Sequence, residues 1–158
     1  MEDLNNLLSR LHTGKVEFVL VGGLAAVVHG GSLVTQDVDV CCRFTPENLQ
    51  RLSRALANLR PVHRLTPQKL AFELTESFCA NLKNLYLQTD IGVLDCLSEV
   101  LGVGDYDQVF QRSVAIELPF GQCRVLDLDS LIRAKEAMNR PNDRITVSQL
   151  KSIRERLR

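Results

Sequence analysis

Residues 19–40 read VLVGGLAAVVHGGSLVTQDVDV. An apolar, β-rich run over residues 16–21 closes on Gly22-Gly23, and a small-residue segment over 24–29 is stopped by Gly30-Gly31. A second β-rich run, DVDVCC, follows at 37–42. The pattern predicts strand, tight turn, short helix, strand. On a strand, residues two apart share a face, so Asp37 and Asp39 project together while Val38 and Val40 turn to the core. Two adjacent carboxylates repel, and each raises the pKa of the other unless a cation lies between them. Hard divalent cations such as Mg²⁺ take carboxylate oxygens and are commonly completed by substrate phosphates. A Gly-Gly turn leading into a helix offers bare backbone N–H groups and a positive dipole end, which suits a phosphate. D-x-D alone is common as a solvated strand face, and Gly-Gly alone as a turn. At this joint spacing, with apolar residues flanking both, they read as a nucleoside-triphosphate site.

Working outward, Leu4, Leu7, Leu8 and Leu11 recur at helical spacing and predict a first helix ending near Gly14. Thr45-Pro46-Glu47 opens a helix through about Leu59, with Leu49, Leu52, Leu56 and Leu59 inward and Pro61 ending it. Residues 70–74 and 83–88 are expected as strands, the second meeting 93–97 across a turn at 89–92. A helix is expected at 106–112, and a hairpin of 114–118 with 123–126 around Pro119-Phe120-Gly121. Asp127 or Asp129 caps a helix through Met138, and Pro141 restarts another to the C-terminus. This order predicts one α+β domain over residues 1–158, with an α/β core at 1–126 and C-terminal helices at 127–158.

Composition bounds the function. The 158 residues are 45% apolar and 24% charged, with 19 basic and 19 acidic side chains. Zero net charge argues against adhesion to nucleic acid through a uniformly basic surface. The balance is uneven: residues 1–123 carry ten basic and fourteen acidic groups, and residues 124–158 carry nine and five. The most apolar stretch, residues 18–28, is far short of the roughly 20 residues of a membrane helix. The acidic, amphipathic start MEDLNNLLSR is unlike a secretory leader, so the expectation is a cytoplasmic chain with no membrane partner. Five cysteines without a C-x-x-C pair suggest reduced, mostly buried thiols. There is no dinucleotide or P-loop glycine pattern, and His12, His29 and His63 are too scattered for zinc. His29 suits a helix C-terminus. Ser32 has no identifiable base. Arg51, Arg54, Arg60 and Arg64 form a basic strip, read as a solvated face, with a polyanionic acceptor such as tRNA as its functional alternative.

Val21-Gly22-Gly23 followed, after thirteen residues, by Asp37-Val38-Asp39-Val40 resembles the signature of the DNA polymerase beta-like nucleotidyltransferase superfamily. His29-Gly30 and Thr35-Gln36-Asp37-Val38-Asp39 are similar to its small bacterial branch that includes AbiEii-type abortive-infection toxins. The resemblance implies a mixed β-sheet flanked by helices. It also implies a third carboxylate on a neighbouring strand, which Gly92-Val93-Leu94-Asp95-Cys96-Leu97 assigns to Asp95, with Asp90 in the expected turn as the competitor. Near the C-terminus the branch carries a Lys, a basic residue and an Asp on consecutive helices. Leu131-Ile132-Arg133-Ala134-Lys135 and Arg140-Pro141-Asn142-Asp143 resemble that text.

The activity implied is in-line attack of an acceptor hydroxyl on the α-phosphorus of an NTP, with release of pyrophosphate. Asp37 and Asp39 would hold two Mg²⁺ or Mn²⁺ ions roughly 3.5–4 Å apart. Asp95 would join the ligands nearer the acceptor and help deprotonate its hydroxyl. Gly22 and Gly23 would cradle the β- and γ-phosphates. Lys135 and Arg140 are the candidate nucleotide-binding cations, against a reading of Lys135 as a solvated helical side chain. The chain departs from the pattern twice. Gly23 stands where many members have Ser, and Leu33 stands where an Arg is expected, a charge that Lys135, Arg140 or a partner's residue would have to replace. Two readings follow. One is an enzyme that transfers an NMP to RNA, protein or a small molecule, with a toxin–antitoxin or phage-defence setting. The other is a degenerate nucleotidyltransferase fold that binds a nucleotide or partner without turnover. A homodimer or a partner protein would complete acceptor binding.

Overall fold

The computed structural model describes residues 2–32 and 35–158. Leu33, one of the two departures above, lies outside the described residues. The chain order is α1 (Glu2–Thr13), β1 (Phe18–Val21), α2 (Gly22–Val28), β2 (Asp37–Cys42), α3 (Pro46–Leu56), β3 (Val62–His63) and α4 (Glu76–Ala80). It continues with β4 (Asn84–Thr89), β5 (Gly92–Leu97), β6 (Glu99–Val100), β7 (Gly104–Asp105), α5 (Tyr106–Gln111), β8 (Ser113–Leu118), β9 (Gly121–Leu126), α6 (Leu128–Met138) and α7 (Pro141–Arg156).

Seven strands form one mixed sheet in the order β3-β4-β5-β2-β1-β9-β8, and β6 and β7 make a separate two-stranded ribbon. At its centre β2 runs antiparallel to β1 and parallel to β5. The expected mixed sheet flanked by helices is therefore the observed architecture. The centre of the sheet is covered on both faces: all four residues of β1 are buried, as are Val38 and Val40 through Cys42 of β2. The leucines of α1 are buried as its periodicity demands, and α1 packs on α3, β2, β5 and β9. On the other elements α2 lies against β1, β2 and α6, and α6 packs along α7.

Local chemistry explains most boundaries. Thr45 caps α3 by accepting from the Asn48 backbone N–H, with Pro46 at the first turn. That helix stops at Leu56, earlier than expected, because its last turn tightens into a 3₁₀ turn, Ala57–Leu59, which still buries Leu59. Of the two acids offered as the cap of α6, Asp127 takes the role by accepting from Ser130 N–H at 2.7 Å, and Asp129 instead pairs with Arg154 at 3.1 Å. His29 caps the end of α2, and its Nε2 donates to the Leu126 carbonyl at 2.8 Å. All five cysteines are free, and four of them are buried.

Two expectations fail for identifiable reasons. Residues 70–74 are not a strand; they make a single bridge, Ala71 to Val62, and only Phe72 is deeply buried. Pro67 and the left-handed Lys69 (φ 45°) precede the segment, so it meets β3 briefly at the sheet edge. The helix expected from Leu24 begins two residues earlier, at Gly22 itself. The short elements α4, β6 and β7 were not anticipated, being too brief to show a period.

Asn48 is 1% exposed and ties three chain segments together. Its Oδ1 accepts from Glu17 N–H at 2.7 Å, and its Nδ2 donates to the carbonyls of Glu17 (3.0 Å) and Arg43 (2.8 Å). Asn48→Ala would strand these backbone groups in the interior. We expect a stability loss of about 2 kcal/mol, read from urea unfolding with an unchanged m-value.

Candidate functional site

The parallel pairing of β2 and β5 sets Asp37 beside Val93 and Asp39 beside Asp95. Asp39 and Asp95 thus share one face of the sheet at adjacent positions. Asp37 is exposed, Asp39 half-buried and Asp95 7% exposed. Asp39 also stands opposite Val21 at the end of β1, immediately before Gly22. The Gly22 backbone has φ +69°, a left-handed conformation, and a Cβ there would collide with the Asp39 carboxylate. Glycine is therefore required both for the turn and for the close approach. At Gly23 a Cβ would lie 3.1 Å from the Thr35 hydroxyl oxygen. Thr35 thus brings a hydroxyl next to the place a serine side chain at 23 would use.

Two cavities meet at this point. One, of about 560 Å³, is lined by Gly22, Asp39, Asp95, Arg64, Tyr86 and the apolar side chain of Leu131, among others. The other, of about 540 Å³, is lined by Gly23, Thr35, Asp37 and residues of α7. Asp39, Lys135 and Arg140 border both. Every residue singled out as a site residue, namely Gly22, Gly23, Asp37, Asp39, Asp95, Lys135 and Arg140, lies on one or both walls. Asp90, the competitor of Asp95, lines neither; it sits in the β4–β5 turn and pairs with Arg60 at 3.0 Å.

The electrostatics are dominated by crowded carboxylates. Burial, with Asp95 and then Asp37 nearby, raises the Asp39 carboxyl from its ordinary 3.8 to about 6; Lys135 and Arg140 oppose the shift without cancelling it. Asp95 is compensated differently. Arg64 Nε donates to its Oδ1 at 3.0 Å and Arg64 Nη2 to its Oδ2 at 2.5 Å, a two-pronged fork. Arg64 thereby leaves the solvated strip in which its sequence neighbours suggested it belonged. Lys135 is 8% exposed rather than solvated, and its ammonium lies 3.5 Å from Asp143 Oδ1. Arg140 forks the same carboxylate, Nε to Oδ2 at 2.6 Å and Nη2 to Oδ1 at 3.1 Å. Arg64 was missed as a site residue because 31 positions separate it from Asp95 and no local pattern links them.

Among the described residues, no group of three or more His, Cys, Asp or Glu side chains is arranged to hold a metal ion. Nor, among the described residues, is any helix long and apolar enough to cross a membrane.

No protein-family model matches the chain, and no curated protein matches it. Solved structures do. The lincosamide antibiotic adenylyltransferase LnuA, solved with lincomycin bound, superposes with a TM-score of 0.65 at 14% identity, over 97% of each chain. A candidate nucleotidyltransferase from Thermotoga maritima gives 0.58 at 18% identity, over 98% of this chain and 89% of the other. ANT(2")-Ia in complex with adenylyl-2"-tobramycin gives 0.57 at 13% identity, over the whole of both chains. At such identities the likeness establishes the fold. It is that of the nucleotidyltransferases.

Two variants test the geometry. Gly22→Ala should cost about 1–3 kcal/mol in chemical denaturation, from left-handed strain together with displacement of Asp39. Asp143→Ala would leave the buried Lys135 ammonium without its counter-charge and should destabilise by about 3 kcal/mol. The sign with pH is fixed by Asp143 as well. Its carboxyl is held below the ordinary 3.8, first by the Arg140 side-chain hydrogen bonds, with Lys135 adding to them. The stability it contributes is complete above pH 3.8 and lost as acidification passes through the lowered native value. Asp143→Asn should therefore flatten the stability–pH curve below pH 3.8, as measured by thermal unfolding.

Proposed function

We propose that this protein transfers a nucleoside monophosphate from an NTP to a hydroxyl of an acceptor. The observation that carries the proposal is the meeting of Asp37 and Asp39 with the Gly22-Gly23 turn, Lys135 and Arg140 around two adjoining cavities. Gly22 and Gly23 line the phosphate side with backbone alone. Thr35 supplies the hydroxyl that Gly23 lacks, and Lys135 and Arg140 place positive charge over the triphosphate. Their shared partner Asp143 holds both cations in position and leaves this trio a net charge of +1.

Asp37 and Asp39 fit a hard divalent cation, Mg²⁺ or Mn²⁺. Their oxygens are the donors such ions take, and burial, followed by the neighbouring Asp95 and Asp37, raises the Asp39 carboxyl to about 6, a crowding that a bound cation would relieve. When bound, that ion would supply Lewis-acid stabilisation of charge on the phosphoryl oxygens. Asp95 lies beside Asp39 at the wall of the larger cavity. Each of its oxygens keeps a lone pair free of the Arg64 fork, so it can take the proton of the attacking hydroxyl. The new bond joins the acceptor oxygen to the α-phosphorus, the bond from that phosphorus to the bridging oxygen breaks, and pyrophosphate departs.

A small-molecule acceptor is favoured over RNA or protein. The larger cavity has a volume of the order that suits one small ligand, and LnuA and ANT(2")-Ia were solved with lincomycin and with an adenylylated tobramycin. The toxin–antitoxin or phage-defence setting rests on the sequence resemblance alone; the cytoplasmic location rests on cysteine usage, the single domain over residues 1–158 on the order of elements, and a homodimer or partner protein on the short C-terminal helical segment. A second reading, binding of nucleotide without turnover, draws on the pairing of Asp95 with Arg64 and of Lys135 and Arg140 with Asp143.

Incubation with each α-labelled NTP, Mg²⁺ or Mn²⁺ and a panel of hydroxylated acceptors tests the two readings. Label should pass to an acceptor, and Asp39→Asn should slow transfer at least about a hundredfold. Nucleotide binding with no transfer to any acceptor would establish the binding-module reading instead.

A further inference from the structure

The third carboxylate is occupied. Both oxygens of Asp95 accept from Arg64, at 3.0 and 2.5 Å, and the pair is held rather than loosely associated. Arg64 is anchored at its backbone, where its N–H donates to the Tyr86 carbonyl at 3.0 Å. Its guanidinium carbon lies 5.5 Å from the centroid of the Tyr86 ring, whose face supports it. The side chains of Arg64 and Asp95 are only 28% and 11% exposed. Asp37 and Asp39 also act on the Arg64 guanidinium, whose proton affinity they raise after Asp95 itself. Arg64 is thus a fixed positive charge in the field of all three carboxylates. A divalent ion bound by Asp95 would share oxygens whose charge the fork already draws on, and would sit against a guanidinium of its own sign.

We propose that Arg64 is a positioning residue that keeps Asp95 out of the metal-ligand set and itself supplies the second positive charge of the site, so that the protein works with one divalent cation, held by Asp37 and Asp39. The inference rests on the nucleotidyltransferase reading above and departs from the two-ion arrangement that the sequence resemblance implies. It divides the labour of the carboxylates. Asp37 and Asp39 bind the cation that accompanies the nucleotide, while Asp95 stays free of metal, oriented by Arg64 toward the acceptor side.

Equilibrium dialysis of the full chain against Mn²⁺ and a non-hydrolysable ATP analogue, with retained metal and nucleotide both counted, tests it without recourse to activity. The wild-type chain should retain one Mn²⁺ per nucleotide. Asp95→Asn, which still accepts from Arg64, should leave both that ratio and the Mn²⁺ affinity within twofold of wild type. Asp39→Asn should weaken Mn²⁺ binding at least tenfold. Arg64→Gln should raise the ratio toward two, and adding Asp95→Asn to it should return the ratio to one. Should Arg64→Gln fail to fold, as judged by its thermal transition, the Asp95→Asn arm still decides. Two ions per nucleotide in the wild type, one of them lost in Asp95→Asn, would overturn the inference and leave the proposed function standing. Nucleotide retained without Mn²⁺ would likewise overturn the inference. A chain that retains no nucleotide would overturn the proposed function itself, and the inference with it.

Discussion

Asp39 and Asp95 stand side by side on adjacent parallel strands, and much of the surrounding structure answers the repulsion between them. Like charges directly opposite across a sheet destabilise it unless something neutralises them. The protein meets the two carboxylates differently. Asp95, the more buried, receives a complete guanidinium fork from Arg64. Asp39 receives the charges of Lys135 and Arg140, which are themselves paired with Asp143, and its proton affinity stays raised. The result is one carboxylate held in a guanidinium fork and one whose proton affinity is raised by burial and by its neighbours. That asymmetry, more than the presence of three acids, gives the site its character.

The sheet order places the asymmetry where ligands can reach it. β2 lies between β1 and β5, so the turn at Gly22 after β1 and the carboxylates of β2 and β5 converge at one end. Gly22 tightens this further, since its missing side chain is what admits the Asp39 carboxylate. From the other side α6 and α7 bring Lys135 and Arg140, and the two cavities adjoin across these residues. The opposed charges of the two parts of the chain thus meet in space. Their meeting is incomplete, however, because Asp143 travels with the cations and neutralises part of their charge before any ligand arrives.

Much of the fold was legible in the sequence because its central elements obey strong local periods. The leucines of α1, the Thr45 cap of α3 and the order β1–α2–β2 follow their patterns, although α2 opens two residues early at Gly22. The failures have separate, local causes. Residues 70–74 alternate Leu70, Phe72 and Leu74 with Ala71 and Glu73, yet Pro67 and the left-handed turn at Lys69 leave them a single bridge at the sheet edge. α4, β6 and β7 span five residues or fewer, shorter than a period needs to register.

Sequence alone determined that Asp37 and Asp39 share a face beside a glycine turn, because strand alternation and glycine conformation are local properties. It also pointed to Asp95, Lys135 and Arg140 as the companions of that pair, and all three border the cavities. Only the tertiary structure decided which charge neutralises which. Arg64 belonged by sequence to a basic strip with Arg51, Arg54 and Arg60, and Lys135 read equally well as a solvated side chain. Charge pairing depends on distance through space and on burial, and those are set by how β3, β5, α6 and α7 assemble. No run of residues along the chain carries that information, and so the division between a forked Asp95 and an Asp39 of raised proton affinity became visible only in the folded molecule.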